Sequence, residues 1–207
     1  MKNEWLTREA FWEYCRRHPV DPILRMLLAS DGTLIFHLKS LFLASVEVAV
    51  QEQREILLDE ERADWIGIPA GEKGIERKVW LAVGAPSAAG PPRGAFVDLQ
   101  KQVEKGERKV FAVSTFPLAG LKPDLYQEIQ LGQQPIGQMI ETHRHLTRRD
   151  RLEIARLALP SIAEALGLKP EEIFWARRYR LIISDQVSAM IFEAFSPSLF
   201  SSSSLSY

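Results

Sequence analysis

The chain has 207 residues, with 26 lysine and arginine residues against 27 aspartate and glutamate residues, and its formal net charge is −1. That length allows one core of ordinary size, and the balanced charge gives no reason to expect nucleic acid or an anionic membrane as a partner. A single cysteine, Cys15, excludes an internal disulfide, and we expect neither a secretory leader nor a membrane span, so the sequence predicts a cytoplasmic protein.

The first quarter of the chain predicts three helices, each followed by a residue pattern that ends it. Asp21 is suited to cap the second helix, which begins with Pro22, and Thr33 is suited to cap the third. Apolar residues recur at helical spacing in the first helix, which His18 and Pro19 end. In chain order the predicted helices cover 4–17, 22–30 and 33–42.

Alternation of apolar and polar residues predicts the strands that follow. Only three residues separate the last two strands, so they are predicted to form an antiparallel hairpin. The predicted strands cover 46–57, 76–83, 108–116, 145–157, 176–183 and 187–195. A helical turn is predicted over 59–64, a loop over 67–74, and helices over 123–131, 135–141 and 160–166, the last closed by Gly167.

The order of these elements predicts the fold class. Strands follow one another in sequence without long crossover helices between them, which favours an α+β fold with a single antiparallel β-sheet and helices packed on it. We expect one domain over 1–200. The glycine- and proline-rich run over 84–93 is predicted to be a mobile loop, and the serine-rich tail over 201–207 is expected to be disordered because it can bury little.

The last predicted strand carries one charge on an apolar face. Ala189, Ile191, Glu193 and Phe195 alternate along the strand and therefore point to the same side of the sheet. A carboxylate in that position is costly to bury unless another group pairs with it. Glu193 is therefore a candidate for proton chemistry.

Arg77 is a similar exception in the strand over 76–83, where it shares a face with Val79 and Leu81. Two structural interpretations stay open for Arg77 and Glu193: their heads reach solvent past buried stems, or they pair with other side chains and do no chemistry. The functional interpretation is a buried pocket with a guanidinium at one end and a carboxyl at the other. The guanidinium would bind a ligand carboxylate through two parallel hydrogen bonds.

Other polar groups are interpreted more simply. Two arginine-rich runs, over 148–151 and 177–180, are read as solvated faces, some of whose charges attract an anionic substrate. His143 and His145 are surface or strand-edge residues, or part of a metal site whose other ligands cannot be identified. The sequence has no phosphate-binding loop, no dinucleotide-binding glycine motif, no cysteine-pair zinc signature and no serine-hydrolase elbow.

Several short segments resemble the chorismate pyruvate-lyase family in their order and spacing. They comprise the strand over 76–81 with Arg77, the strand over 110–118, the turn Pro135-Ile136-Gly137, the hairpin over 178–195 with Glu193, and the segment over 27–34. The chain is longer than is common in that family over 84–109. The resemblance covers most of the chain from residue 76 onward.

The resemblance implies a lyase that cleaves chorismate to 4-hydroxybenzoate and pyruvate, without metal or organic cofactor. It implies a ligand enclosed beneath flaps, with Arg77 holding the ring carboxylate and backbone N–H groups at Ile136 and near Leu34 adding hydrogen bonds. Glu193 would face the ring hydroxyl and the proton-transfer end, as base, acid or hydrogen-bond anchor. The product would serve quinone biosynthesis or another aromatic pathway.

Two alternatives to this lyase remain. A related fold serves as the effector-sensing domain of bacterial transcription regulators, so the chain could be a non-catalytic module that binds an aromatic carboxylate. Against this alternative, we expect no attached helix-turn-helix domain, and the first helices lack a strongly basic recognition helix; we therefore expect no nucleic acid as a partner. A third reading is a lyase-like protein that acts on, or binds, another aromatic carboxylate.

Overall fold

The computed structural model describes residues 4–84, 107–131, 136, 139, 146–184 and 187–199. These residues form seven strands: β1 Trp5–Thr7, β2 Val46–Leu57, β3 Lys73–Val83, β4 Glu107–Pro117, β5 Thr147–Leu157, β6 Phe174–Ile183 and β7 Val187–Phe195. They also form the helices α1 Arg8–Arg17, α2 Pro22–Ala29, α3 Leu34–Phe42, α4 Glu60–Ile66, α5 Pro123–Leu131 and α6 Pro160–Ala165, and a 3₁₀ turn at Pro197–Leu199. Among these described helices, none has the length and apolar character needed to cross a membrane.

The seven strands make one sheet in the order β1-β5-β6-β7-β4-β3-β2, and each neighbouring pair is antiparallel. Two series of sequence neighbours, β2 to β4 and β5 to β7, meet where β4 pairs with β7. The predicted α+β class with a single antiparallel sheet is therefore confirmed. The join matters for function because it brings β3 within two strands of β7.

Helices α2 and α3 cover one face of the sheet. Asp21 caps α2 as predicted, because its side chain accepts hydrogen bonds from the backbone N–H groups of Ile23 and Leu24. The buried leucines of both helices belong to one apolar cluster with residues of the sheet, such as Val79 and Ile191. A cavity remains between this helical layer and the sheet, and it is described below.

The opposite face of the sheet is covered by α6 and α4. Trp80 and Phe111 pack there in an apolar cluster with Ala163 of α6, and their rings are 5.1 Å apart between centroids. A smaller cluster joins α4 to Leu58 and the sheet. Apolar packing closes this face of the sheet. A pocket shared by Arg77 and Glu193 must therefore lie on the opposite face.

The structure differs from the predicted elements chiefly at the N-terminus. The helix predicted over 4–17 begins only at Arg8, because Trp5–Thr7 form an edge strand that pairs with β5. The other described elements match their predictions to within a few residues. Several predictions lie outside the described residues: the loop over 85–93, most of the helix over 135–141, His143, His145 and the tail over 201–207.

Candidate active site

A cavity of about 170 Å³ lies between the sheet and the N-terminus of α3. An apolar cavity of about 150 Å³ is known to admit a benzene ring, so this one is large enough for a ligand built on a single ring. The described residues that line it are Thr33, Leu34, Ile35, Val48, Arg77, Val79, Leu81, Ala112, Ser114, Ile136, Thr147, Arg149, Tyr179, Leu181, Ile191 and Glu193. The lining is mainly apolar with a few polar groups, which is the usual composition of a small-molecule site.

Arg77 projects into the cavity from β3. Its neighbours Val79 and Leu81 line the cavity too, as their alternation in the sequence predicted, and Ser114 of β4 lies opposite Arg77 in the sheet. Arg77 is only 1% exposed. Burial lowers the pKa of its guanidinium to about 10, so the side chain still carries its charge at neutral pH.

Glu193 reaches the same cavity from β7, next to β4. It lies opposite Ala112 of β4, whereas Arg77 of β3 lies opposite Ser114, two residues further along the same strand. The two charges are thus on one face, with a single strand between their own strands. Glu193 is 5% exposed, so both charges are withdrawn from bulk water.

The Glu193 carboxylate is held by two donors from β6. Nε of Arg177 donates to Oε2 at 2.5 Å, and the Tyr179 hydroxyl donates to Oε1 at 3.2 Å. Burial, and then the nearby Glu193 charge, raise the pKa of Tyr179 to about 12. Tyr179 is therefore a neutral donor across the physiological pH range.

Arg177 connects this carboxylate to the helical layer above it. Its Nη1 donates to the carbonyl oxygens of Leu27 at 2.5 Å and Ser30 at 3.1 Å. Arg177 is completely buried. The interpretation of Arg177 as part of a solvated face was therefore wrong: it shares a face of β6 with Tyr179 and lies opposite Glu193 across the β6–β7 pair.

The second arginine-rich run is likewise only partly a solvated face. Arg148 is exposed, whereas Arg149 is half-buried and lines the cavity. The Arg149 guanidinium lies 5.1 Å from the centre of the Tyr179 ring, and its Nη1 donates to the carbonyl oxygen of Asp31. Arg178 forms ion pairs with Glu61 and Glu153. Arg180 forms an ion pair with Asp150.

The four residues predicted as site residues all line this one cavity. Arg77 and Glu193 contribute side chains from the sheet, Leu34 is the first residue of α3, and Ile136 lies in the segment after α5. The start of α3 faces the cavity, and a helix N-terminus offers N–H groups and a partial positive charge to an anion. Within the described residues, no three histidine, cysteine, aspartate or glutamate side chains cluster as metal ligands.

Sequence reasoning missed three polar residues of this site: Arg149, Arg177 and Tyr179. Alternation along the strand over 176–183 was a usable signal for two of them, because Arg177 and Tyr179 fall on the face of Leu181 and Ile183. Charged residues on the other face of the same run obscured it. No comparable signal was available for Arg149, since β5 changes register between Asp150 and Glu153.

Solved structures with a similar fold come from bacterial regulators. PhnF from Mycobacterium smegmatis has a TM-score of 0.56 and 14% identity, with 82% of this chain and 65% of that chain covered. The effector domain of PhnF alone has a TM-score of 0.56 and 14% identity, with 81% of this chain and 90% of that chain covered. A GntR-family transcriptional regulator from Bacillus cereus has a TM-score of 0.53 and 12% identity, with 75% of this chain and 94% of that chain covered. At such low identity these likenesses show the fold alone.

The chain thus spans about two thirds of the length of PhnF. No curated protein sequence matches it. A family model described as "Chorismate pyruvate-lyase Rv2949c-like" matches residues 93–202, a stretch that includes Ile136 and Glu193. Because this match takes in more than half of the 207 residues, the chain belongs to the Rv2949c-like chorismate pyruvate-lyase family.

Proposed function

We propose that the chain is a chorismate pyruvate-lyase that converts chorismate to 4-hydroxybenzoate and pyruvate in the cavity on the sheet. The observation that carries the proposal is that Arg77 and Glu193, distant in sequence, line the same buried cavity from the same face of the sheet. Membership of the family adds to it. The product would be an aromatic acid of the kind used to build quinones.

In this proposal Arg77 binds the carboxylate on the ring. Its guanidinium is almost fully buried, and this burial lowers the pKa of the group to about 10. A ligand carboxylate can accept two parallel charge-assisted hydrogen bonds from the planar guanidinium. The backbone N–H groups of Leu34 and Ile136 add neutral donors, and the start of α3 adds a favourable dipole.

Glu193 takes the hydroxyl end of the ring. Arg177 and Tyr179 fix the carboxylate in place, and the remaining lone pairs of its oxygens can accept a hydrogen bond from the ring hydroxyl. An acceptor that is fixed in place and withdrawn from bulk water can orient the ring with little rearrangement of the protein during the reaction. In this binding mode the same carboxylate assists proton transfer at the ring carbon that bears the hydroxyl.

The chemistry suits such a small site. The ring carbon that bears the hydroxyl loses a proton, and the adjacent carbon–oxygen bond to the enolpyruvyl group breaks. The proton ends on the methylene carbon of the departing enolpyruvate, which becomes pyruvate. Because the ring becomes aromatic, the protein has mainly to orient the substrate, exclude water and assist the proton.

A second candidate is a module that binds an aromatic carboxylate without converting it. Two observations favour it: the similar solved structures include one described as an effector domain and one described as a ligand-binding domain, the latter from Bordetella bronchiseptica with a TM-score of 0.51 and 16% identity. In addition, the Glu193 carboxylate is engaged by Arg177 before any ligand arrives. A pre-engaged carboxylate serves as an anchor at least as well as it serves as a base.

Turnover decides between the two candidates. Purified full-length chain is mixed with chorismate and EDTA; 4-hydroxybenzoate is followed by chromatography and pyruvate by a coupled lactate dehydrogenase assay. We expect equal amounts of both products, with turnover lowered about 100-fold or more in E193Q. Turnover should be retained in R148Q, because Arg148 is exposed and does not line the cavity. Tight binding of 4-hydroxybenzoate with no product at high protein concentration would refute the lyase and leave the binding module.

A further inference from the structure

We infer that Arg149 binds a second carboxylate of the ligand, so that the cavity selects aromatic or ring compounds with two carboxylates over those with one. This inference rests on the proposed function in one respect: it identifies the second carboxylate as that of the enolpyruvyl group of chorismate. It extends that function to a specificity determinant at the end of the cavity away from Arg77.

The order of strands separates the two arginines. Arg149 belongs to β5 and Arg77 to β3, and β6, β7 and β4 lie between them. At about 4.8 Å per strand their backbones are roughly 19 Å apart along the sheet, and both side chains reach inward to line the same cavity. Tyr179 and Glu193 occupy the middle strands. A ligand whose ring lies over Glu193 therefore has an arginine on either side of it.

The charges of the lining favour a dianion. Among the described residues that line the cavity, Arg77 and Arg149 are cations and Glu193 is the one anion. The charge of Glu193 is already balanced by Arg177, which lies behind it. Among the described lining residues, no carboxylate therefore balances Arg149, and a second ligand carboxylate would supply that counter-charge.

Arg149 is also arranged as a donor to a ligand. Within the part of the chain that the structure describes, no carboxylate forms an ion pair with it, and its buried Nε has no acceptor. Its Nη1 is directed to the Asp31 carbonyl and its guanidinium lies over the Tyr179 ring, so the group is held in place without a counter-charge. A held guanidinium with donors to spare binds a carboxylate at little entropic cost.

The test compares two stable ligands that differ only in the second carboxylate: 3-(carboxymethoxy)benzoate and 3-methoxybenzoate. Each is titrated calorimetrically into the wild-type chain, R149Q and R148Q. We expect the wild type and R148Q to prefer the dicarboxylate by at least about tenfold. In R149Q that preference is expected to disappear while the affinity for 3-methoxybenzoate changes less than about twofold.

Two results would overturn the inference. One is a wild type that binds both compounds equally. The other is an R149Q variant that loses affinity for both in the same proportion, which would mean that Arg149 only supports the backbone at Asp31. If R149Q does not fold, R149K keeps a charge without the planar fork and should show a reduced preference. Failure of the lyase proposal is seen separately, as absence of turnover of chorismate by the wild type.

Discussion

The variant R177M leaves the Glu193 carboxylate buried without its cation, and it removes a donor from the carbonyl groups of Leu27 and Ser30. Both charged side chains are almost fully withdrawn from water, so solvent screening does not weaken the effect. Breaking a buried ion pair by removing one partner costs about 3–5 kcal/mol of unfolding free energy. For a chain of this size that loss corresponds to a fall in melting temperature of roughly 6–20 °C.

Urea unfolding gives the unfolding free energy, and calorimetry gives the melting temperature, of the wild type, R177M and a matched control. R180M is that control: Arg180 is on the same strand and pairs with Asp150 at 2.7 Å, but its side chain is 27% exposed. A partly solvated pair of this kind contributes about 1 kcal/mol or less. The double variant R177M/E193L removes both charges and should recover most of the loss.

The comparison of R177M with R180M can fail in a clear way. If the two variants lose the same stability, Arg177 is not the buried partner of Glu193 and the electrostatics of the cavity must be redrawn. If R177M is destabilised but R177M/E193L is no better, the loss comes from the carbonyl groups of α2 and not from the carboxylate.

Three further outcomes are expected. E193Q should lower turnover of chorismate by about 100-fold or more when it is assayed below its melting temperature, which should itself fall because the buried Arg177 loses its counter-charge; equal turnover would remove Glu193 from the chemistry. R77Q should chiefly weaken binding, with the Kd for 4-hydroxybenzoate rising about 10-fold or more by calorimetry, and unchanged affinity would contradict the clamp. Burial raises the pKa of Tyr179 to about 12, above the value near 10 of an unfolded tyrosine, so its proton stabilises the folded state below pH 10. That contribution is lost as pH rises from about 10 to about 12; the wild type should therefore lose more unfolding free energy than Y179F in this window, and parallel losses would show that Tyr179 is not desolvated.

Much of the fold was predictable because its strands are long and have a clear period. The bounds of β2 were predicted as they are found, over 46–57, since valines alternate there with polar residues. The edge strand β1 was not predictable: it has only three residues, and its neighbours carry the spacing of a helix. A strand so short is formed by pairing with β5, which lies far away in the sequence.

The candidate site was predictable where a charge interrupts an apolar face. Arg77 and Glu193 were identified in that way, and the structure brings both to one cavity, although their roles stay predictions. The partner of Glu193 was not identified, because pairing across a hairpin depends on register. Arg177 lies opposite Glu193 only in the register that the structure shows. A shift by one residue would have placed another arginine there.

The guanidinium of Arg177 links the helical layer on one side of the cavity to the sheet on the other side. It binds the carboxylate in the sheet and, at the same time, the carbonyl groups at the end of α2. Moving α2 away from the sheet would break the hydrogen bonds from the buried Arg177 to these carbonyl groups. The free-energy cost of breaking them opposes wide opening of the cavity. We therefore expect the cavity to favour ligands small enough to enter without displacing α2.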